Sequence, residues 1–486
     1  MANHRQPKRA RRDTLPPADT DSDGDGDSDS TLHPILPYNV IDHIVSFLPF
    51  MVATQVCKLS SAFKHAVNFS RSLFFGRDVA VRLTRDNLVK ILNRAFDSHL
   101  GKEIFTFTLH IDPIEVETSI DKWLRHCANK EIHHLDLYFL RFGYTLNAST
   151  VAGFTHLRTL KLVHCTLELP PQNNFHSMSP LQHLILSHVP VTSDMLRLLL
   201  DNCRRLQRIH LLHCGGFSRV EINAREHRAF REFRLAACKH LEVLVIDSPT
   251  IRSLYYSGPV PRIRIVEAFQ LTEAYLNLKP ARNRRYLSAS ELERLAVDIP
   301  NVTVLTTSAV IPEALTTRFR GGVFDEARYG FLNLKELQLM MEGGLFCNPY
   351  DIVMLMTRCP LLERLFIDME DYNFECGAYW ELHQMPKLEK LDCYFDRLKF
   401  IRLKGFKFLQ SELNLVNILL KKAINLEALV FVTPKNPHTR LYRAYVPHYS
   451  QLFLSWKASQ DAKIVLFGHT NDKSRVRPIH SKSWYR

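Results

Sequence analysis

The sequence predicts an α/β repeat protein, in which a short helical module near the N-terminus precedes a solenoid with one strand and one helix per repeat. Two observations predict this fold. Leucines return at a fixed spacing, about 25 residues apart, and between them the apolar period shifts from about 2 to 3.6 residues. The length of 486 residues also favours a solenoid, because there each repeat contacts only its neighbours.

Residues 1–33 are predicted to form a disordered tail. Its first part is a basic cluster, either a nuclear import signal or a solvated tail, formed by Lys8, Arg9, Arg11 and Arg12. An Asp/Ser run follows with nothing apolar to bury, which predicts disorder. The run matches the first half of a calcium loop, but Leu32 stands where a bidentate Glu is needed, so no calcium site is predicted.

A short amphipathic helix is predicted between two Leu-Pro pairs at 36–37 and 48–49. Its apolar residues recur at helical spacing: Val40, Ile41, Ile44, Val45, Phe47 and Leu48. Pro37 suits the first turn of a helix, and Pro49 ends it because its ring cannot continue the hydrogen-bond ladder. A second short helix is predicted within 54–67.

Residues 34–79 resemble an F-box, the helical module by which substrate receptors bind a Skp-type adaptor. The resemblance is carried by Leu36-Pro37, Ile41, Ile44, Ser46-Phe47-Leu48-Pro49, Gln55-Val56-Cys57, Leu59-Ser60 and Phe63-Lys64. It implies that the adaptor is contacted by Leu36, Pro37, Ile41, Ile44, Leu48, Pro49, Cys57 and Leu59. The sequence departs from the family at 50–52, where a polar turn is more common, and at Val67, where tryptophan is common. The alternative is a helical hairpin packed on its own domain.

The leucine pattern predicts a solenoid over residues 131–432, reached through a connecting region at 80–130 and followed by a C-terminal cap and basic tail at 433–486. One unit matches the leucine-rich-repeat template at every apolar position: Leu157, Leu160, Leu162, Cys165 and Leu167. Further units begin at Ile132, Leu181, Leu206, Leu241, Leu334, Leu362, Leu388 and Leu426. Weaker candidate strands are Ile263/Ile265, Leu292/Leu295/Val297 and Val302/Val304. Helices are predicted at 194–200, with Thr192 or Ser193 as the cap, and at 351–356 and 413–420.

Residues that alternate with the leucines are predicted to face the concave surface and to bind a target protein. These are His134, Asp136, Tyr138, Lys161, His183, Arg208, His210, Arg364, Phe366, Asp368 and Tyr394. Loops could carry part of the specificity.

An F-box followed by these repeats resembles a plant F-box/leucine-rich-repeat protein. The resemblance implies the substrate-recognition subunit of a cullin-based SCF E3 ubiquitin ligase, whose F-box binds a Skp-type adaptor and, through it, a cullin scaffold. The solenoid would bind an unidentified target, and ubiquitin transfer would occur on other subunits. The chain is therefore expected to be non-catalytic and to need no cofactor.

Three alternatives remain open. The chain could be an F-box-derived solenoid that binds targets without a ligase. It could sense a small anion or hormone in a pocket lined by Lys161, His183, Arg208 and His210. A nucleic-acid scaffold is the weakest alternative, because the net charge of +13 is spread over separate clusters in no recognised nucleic-acid fold.

Composition predicts an intracellular protein of the nucleus or cytoplasm. Ten cysteines lack any C-x-x-C pair and several fall on consensus positions, as expected of reduced, buried thiols. No stretch approaches the roughly 20 apolar residues of a membrane span. His164, His188 and His213 share one repeat position and could form a ladder, for which packing is favoured over metal binding or pH sensing.

Overall fold

The computed structural model describes residues 36–46, 48, 52, 55–56, 67–279, 288–315, 330–342, 347–374, 377–378, 380–436 and 449–480. Several residues with predicted roles lie outside these ranges: Lys8, Arg9, Arg11, Arg12, Pro49, Cys57 and Leu59.

The described α-helices, apart from the first, lie along the chain between the strands of a large sheet. Those with defined bounds are α1 (Tyr38–Ser46), α2 (Arg77–Arg82), α3 (Arg85–Asp97), α4 (Glu117–Ala128), α5 (Ala148–Ala152), α6 (Ser193–Asn202), α7 (Ala289–Asp298), α8 (Val310–Leu315), α9 (Pro349–Thr357), α10 (Met385–Glu389) and α11 (Gln410–Lys422). Residues 449–456 are also helical. Short 3₁₀ segments are Val67–Phe69, Gln172–Met178 and His469–Asn471, and Trp380–Gln384 is a π-helical turn. No helix in these ranges is long and apolar enough to cross a membrane.

The strands form one large parallel sheet and two small ones. They are β1 (Ser72–Phe75), β2 (Thr106–Ile111), β3 (His134–Phe139), β4 (Thr145–Leu146), β5 (Thr159–Val163), β6 (Thr166–Leu167), β7 (His183–Ser187), β8 (Arg208–Leu212), β9 (Arg219–Asn223), β10 (Glu232–Ala236), β11 (Val243–Asp247), β12 (Ser253–Pro259), β13 (Arg262–Val266), β14 (Glu273–Lys279), β15 (Val304–Ser308), β16 (Glu336–Met340), β17 (Arg364–Asp368), β18 (Phe400–Lys404), β19 (Ala428–Val432) and β20 (Lys463–Phe467).

The main sheet has 15 strands in the order β1-β2-β3-β5-β7-β8-β10-β12-β14-β15-β16-β17-β18-β19-β20. Every neighbouring pair in it is parallel. The strands therefore succeed one another along the chain, as the leucine-rich-repeat solenoid predicted from the sequence requires.

The core consists of the leucines of successive strands stacked in register. Leu162 pairs with Leu186, which pairs with Leu211, and all three are fully buried. Burying one such side chain contributes about 1.5–3 kcal/mol. Because the row continues from strand to strand, each repeat buries its apolar stripe against the next.

The predicted helices at 194–200, 351–356 and 413–420 are confirmed as α6, α9 and α11. The Thr192 hydroxyl accepts a hydrogen bond from the Met195 amide at 3.1 Å, so Thr192 is the N-cap of α6. Asn348 and Asp351 form a capping box at the start of α9, where Pro349 occupies the first turn.

The prediction of one strand and one helix per repeat is wrong between β8 and β14. There β11, which contains Leu244 and Ile246, pairs with β9 and β13 in a separate three-stranded sheet. The main-sheet strands of this region are β10 and β12. Both kinds of strand alternate buried residues with half-buried or exposed ones, so apolar spacing alone does not distinguish the two sheets.

Two further predicted strands are helical instead. Leu292 and Leu295 lie in α7, because their spacing of three residues also suits one face of a helix. Leu388 is buried in α10, and the strand of that repeat is β18. Tyr394 consequently lies off the main sheet with 59% of its surface exposed, and its ring centroid is 5.3 Å from the Lys422 ammonium.

The main sheet begins before the predicted end of the F-box range at residue 79. Leu73 and Phe75 of β1 are buried and pair in register with Phe107 and Leu109 of β2. The region at 80–130 contributes α3, β2 and α4 to the same core.

The described cysteines are free thiols, and all but the half-buried Cys393 are buried. Burial raises the pKa of Cys165 and Cys203 to about 12. These thiols stay protonated and unreactive at neutral pH and serve as packing groups.

Candidate functional site

One face of the main sheet carries the residues that alternate with the leucine core; we call it the polar face. Its middle positions form a continuous row in register across the sheet. That central row is Phe74, Thr108, Asp136, Lys161, Ile185, His210, Arg234, Tyr255, Tyr275, Thr306, Gln338, Phe366, Arg402, Val430 and Val465. Parallel pairing with a period of two aligns these side chains.

The polar face brings together the predicted target-binding residues, with Tyr394 as the exception. Asp136, Lys161, His210 and Phe366 lie in the central row itself. Two residues before the central-row position of their strands lie His134, His183, Arg208 and Arg364. Tyr138 and Asp368 lie two residues after it. The sequence therefore located this surface although it misplaced some of the strands.

At the end of the polar face formed by β2–β7, polar groups pair across neighbouring strands. The Lys161 ammonium lies 2.9 Å from an Asp136 carboxylate oxygen. The rings of His110 and Tyr138 stack with centroids 4.2 Å apart. Burial, with the charge of Arg77, lowers the pKa of His110, so this imidazole is neutral at physiological pH.

Glu232 on β10 organises the middle of the polar face. Its carboxylate lies 3.0 Å from Nε2 of His210 and 3.5 Å from Nε of Arg208, and it also accepts a hydrogen bond from Arg234. Burial alone would raise the pKa of Glu232, but the His210 hydrogen bond and the Arg234 charge outweigh it and lower the pKa to about 2. The carboxylate is ionised and offsets the surrounding positive charge.

These ion pairs involve the residues that were predicted to line an anion pocket. Of its proposed residues, Lys161 pairs with Asp136, and both Arg208 and His210 pair with Glu232. A small anion would meet these carboxylates beside each of the three basic groups. The sequence analysis missed Glu232 because β10 was not predicted, although the alternation of Phe233 and Leu235 with polar residues is a signal for that strand.

Two stacked tyrosines lie next along the central row. The ring centroids of Tyr255 and Tyr275 are 4.2 Å apart, and both side chains are buried. The Arg234 guanidinium lies 5.9 Å from the Tyr255 centroid. This aromatic pair separates the charged cluster around Glu232 from the second charged region of the face.

The second charged region spans β16–β18. Arg364 Nε lies 3.0 Å from the fully buried Glu336 carboxylate, and Lys404 Nζ lies 2.5 Å from Asp368. Burial raises the pKa of Glu336, although the Ile479 amide and the Arg364 charge oppose this shift. Arg402 and Lys404 were missed by the sequence analysis, which placed the strand of this repeat too early.

A C-terminal segment, residues 472–480, lies across the β14–β18 half of the polar face; we call it the strap. At one end its Asp472 carboxylate pairs with Arg402 of β18. At the other end the Ile479 amide donates to Glu336 at 2.6 Å, and His480 Nδ1 lies 2.7 Å from the Thr306 hydroxyl.

A cavity of about 1100 Å³ lies between the strap and strands β16–β19. Its walls combine acidic and basic side chains with methionines, including Met340, Glu342, Asp368, Glu370, Arg402 and Lys404. Arg477 and His480 of the strap contribute to the same walls. The cavity therefore has room and hydrogen-bonding groups for side chains that the strap does not supply.

The second candidate site is helix α1. Its inward side holds Ile41 and Val45, which are 2% and 1% exposed. Its outward side holds Val40 and Ile44, four residues apart, and Leu36 lies just before the helix; each of the three side chains is about 40% exposed. Ile41, which is predicted to contact an adaptor, is therefore buried, whereas Val40, which the sequence analysis did not select, is exposed; the adaptor contacts stay a prediction. Pro37 is exposed and Leu48 is half-buried.

The predicted histidine ladder forms. The ring centroids of His164 and His188 are 4.3 Å apart, and those of His188 and His213 are 4.4 Å apart. Burial and the two neighbouring histidines lower the pKa of His188. Among the described residues, no group of His, Cys, Asp and Glu side chains is arranged to hold a metal ion.

Comparison with known proteins places these features in a family. Residues 95–454 match the family model described as "At1g61320/AtMIF1, LRR domain". The chain is 28% identical over 416 residues to FBD-associated F-box protein At1g61320 of Arabidopsis thaliana, covering 82% of this chain and 88% of that protein. It is 29% identical over 410 residues to At1g61330 of Arabidopsis thaliana, which is also named as an FBD-associated F-box protein, covering 82% of this chain and 90% of that protein.

Among solved structures, a chain in the crystal structure of the yeast Rad7 and Elc1 complex is similar with a TM-score of 0.30 and 15% identity, over 79% of this chain and 92% of that chain. The family model covers well over half of the chain, including the described strands from β2 to β19. The chain is therefore a member of the plant F-box/leucine-rich-repeat family that has the At1g61320/AtMIF1 leucine-rich-repeat domain.

Proposed function

We propose that this chain is the substrate-recognition subunit of a cullin-based SCF E3 ubiquitin ligase. Helix α1 would bind a Skp-type adaptor and, through it, the cullin scaffold, while the polar face would bind a target protein. The observation that supports adaptor binding is the exposed apolar surface of α1 at Val40 and Ile44, together with the exposed Leu36 just before the helix. Membership in an F-box family supports the same assignment.

The exposed side of α1 has the chemistry of a helical binding surface. Val40 and Ile44, four residues apart on the helix, form an exposed aliphatic stripe with Leu36 just before it, whereas Ile41 and Val45 are buried. A partner that covers the stripe would remove this apolar surface from water, which contributes about 1.5–3 kcal/mol for each fully buried side chain.

The proposed mechanism is proximity. A target bound to the polar face would be held beside the ubiquitin-transferring subunits, so this chain would raise an effective concentration and perform no bond chemistry itself. We place this activity in the nucleus or cytoplasm, and nucleic acid is not part of the proposal. The mixed charges of the face, such as Lys161 beside Asp136 and Arg364 beside Glu336, suit a protein surface better than a uniformly charged ligand.

The test is a pull-down of the full chain with a purified Skp-type adaptor, compared with a Leu36→Ala, Ile44→Ala double variant. The matched control is Val81→Ala, Leu140→Ala, since these aliphatic side chains are 75% and 52% exposed elsewhere. We expect the parent and the control to bind, and the double variant to lose at least about tenfold in affinity, because two buried side chains are truncated.

A folded parent chain that does not bind the adaptor would contradict the proposal. The chain would then be an F-box-derived binding protein that acts without a ligase. Equal binding by the parent and the double variant would instead remove α1 as the contact surface.

A further inference from the structure

The strap resembles a bound peptide more than a chain terminus packed on the edge of a fold. It follows β20, the last strand of the main sheet, and returns over the five earlier strands β14–β18, from Arg402 on β18 to Thr306 on β15 and Tyr275 on β14. At its end His480 is 1% exposed and lies edge-on to Tyr275, with the ring centroids 5.9 Å apart.

The groups that hold the strap are charges buried in the sheet. The Glu336 side chain is fully buried and accepts the Ile479 amide at 2.6 Å. The Arg402 side chain is 11% exposed and pairs with Asp472. Buried charges are unfavourable unless they are paired and hydrogen-bonded, and the docked strap supplies a carboxylate for Arg402 and an amide donor for Glu336.

The strap is preformed for this role by contacts within itself. Asp472 accepts hydrogen bonds from the Ser474 amide at 3.0 Å and from Arg477 at 2.7 Å, which fix the turn that presents the carboxylate to Arg402. Lys473 and Arg475, between these residues, are exposed. The segment therefore alternates between residues that face the sheet and residues that face solvent, as an extended ligand does.

We propose that residues 472–480 are an intramolecular ligand of the polar face, and that the partner fitting the β14–β18 half in their place is an extended target segment with a carboxylate for Arg402. This inference deepens the proposed function, on which its identification of the partner as a target rests. The adjoining cavity of about 1100 Å³ would accept target side chains that the strap lacks.

Competition follows from this arrangement. While the strap is docked, only the fraction of molecules with an open face can bind a segment in trans, and the apparent affinity falls by that fraction. The strap would thereby reject segments that bind more weakly than its own anchors. A target that extends over the neighbouring β3–β8 half, where His134 and Arg208 are exposed, would gain contacts that the strap does not make.

The test uses a fluorescein-labelled peptide with the natural sequence of residues 468–480 as the probe. It is titrated into the full parent chain and into a full-length Asp472→Ala, His480→Ala variant, which removes the two side-chain anchors, keeps the Ile479 amide and leaves the sheet unchanged. We expect the variant to bind the peptide at least about tenfold more tightly than the parent does. The matched control, Lys473→Ala, Arg475→Ala, alters exposed strap residues and should behave like the parent.

A second probe tests the chemistry of the site. The same peptide with Asp472→Ala should bind the anchor variant more weakly than the natural peptide, because it cannot pair with Arg402. The inference is overturned if the anchor variant, folded by circular dichroism, binds the peptide no better than the parent or does not bind it. Adaptor binding by the anchor variant is measured separately, so a failed ligase assignment and a failed strap are distinguishable.

Discussion

The His480 imidazole and the Thr306 hydroxyl are 2.7 Å apart although 174 positions separate them in the chain. Thr306 lies in the central row of the polar face, and its hydroxyl also bonds to Gln338 at 3.1 Å. The contact therefore joins the last described residues of the chain to the surface that we propose for target binding. It also places a titratable group at the buried end of the strap.

The strap should be released by mild acid. Burial, with the charge of Arg234, lowers the pKa of His480 from 6.5 to about 4. The other groups facing this imidazole are Glu273, at 4.0 Å, and the uncharged Tyr275 and Thr306. A depressed histidine pKa means that the docked state binds fewer protons than the free state, so stability present above pH 6.5 is lost as the pH falls toward about 4.

The measurement is the free energy of unfolding in urea at pH 7 and pH 4.5. The parent should lose up to about 3 kcal/mol more than a His480→Asn variant, which keeps a hydrogen-bonding group but does not titrate. The Asp472 carboxylate, at the other end of the strap, should not titrate between pH 7 and pH 4.5. Burial would raise the pKa of Asp472, but the Ser474 hydrogen bonds and Arg402 lower it to about 2. Identical losses in the two proteins would contradict the assignment to His480.

Glu232→Gln should destabilise the middle of the polar face at pH 7. Because hydrogen bonds and charges lower the pKa of Glu232 to about 2, its ionised form stabilises the fold above its ordinary pKa of 4.5, and this contribution is lost as the pH falls toward 2. We expect a loss of about 1–3 kcal/mol at pH 7 and a smaller loss at pH 3, measured by urea unfolding. Glu226→Gln, at an exposed carboxylate, should have no comparable effect.

Leu186→Ala should cost about 2–5 kcal/mol of unfolding free energy, since it opens a cavity in the leucine row between Leu162 and Leu211. Leu140→Ala, at a leucine that is 52% exposed, should change stability by less than about 0.5 kcal/mol. The urea midpoints of the two variants give the comparison. A small effect at Leu186 would mean that neighbouring repeats relax into the space.

The leucine rows were predictable from sequence because one spacing serves one structural role through most of the chain. The prediction was wrong where the same spacing also occurs in a strand of another sheet or in a helix. Leu244 and Ile246 match the strand template but lie in the three-stranded sheet, and Leu292 and Leu295 match it from within a helix. Local periodicity predicts that one face of a segment is buried, but it does not predict which sheet or helix that segment packs in.

The polar pairs were predictable only where both strands were correctly placed. Asp136 and Lys161 come from two predicted strands, and their ion pair follows from the register. Glu232 and Arg402 come from strands that the sequence analysis did not predict, so their partners could not be foreseen. The strap lacks the apolar spacing that marks the strands and helices, and its contacts connect distant parts of the chain.

The histidine ladder provides a test of backbone conformation. His164, His188 and His213 each follow a strand of the main sheet with φ between 52° and 57°, in the left-handed region that Asn tolerates and β-branched residues do not. Neither Asn nor Val at position 188 can stack on the neighbouring imidazoles, so comparing them isolates the backbone. We expect His188→Asn to be more stable than His188→Val by about 1 kcal/mol or more in urea unfolding.

At Ser187, the last residue of β7, the order should reverse, because Val is favoured in strands and Asn is not. If Val were as stable as Asn at position 188, the left-handed turn would not be a requirement of the repeat, and stacking of the imidazoles alone would account for the ladder.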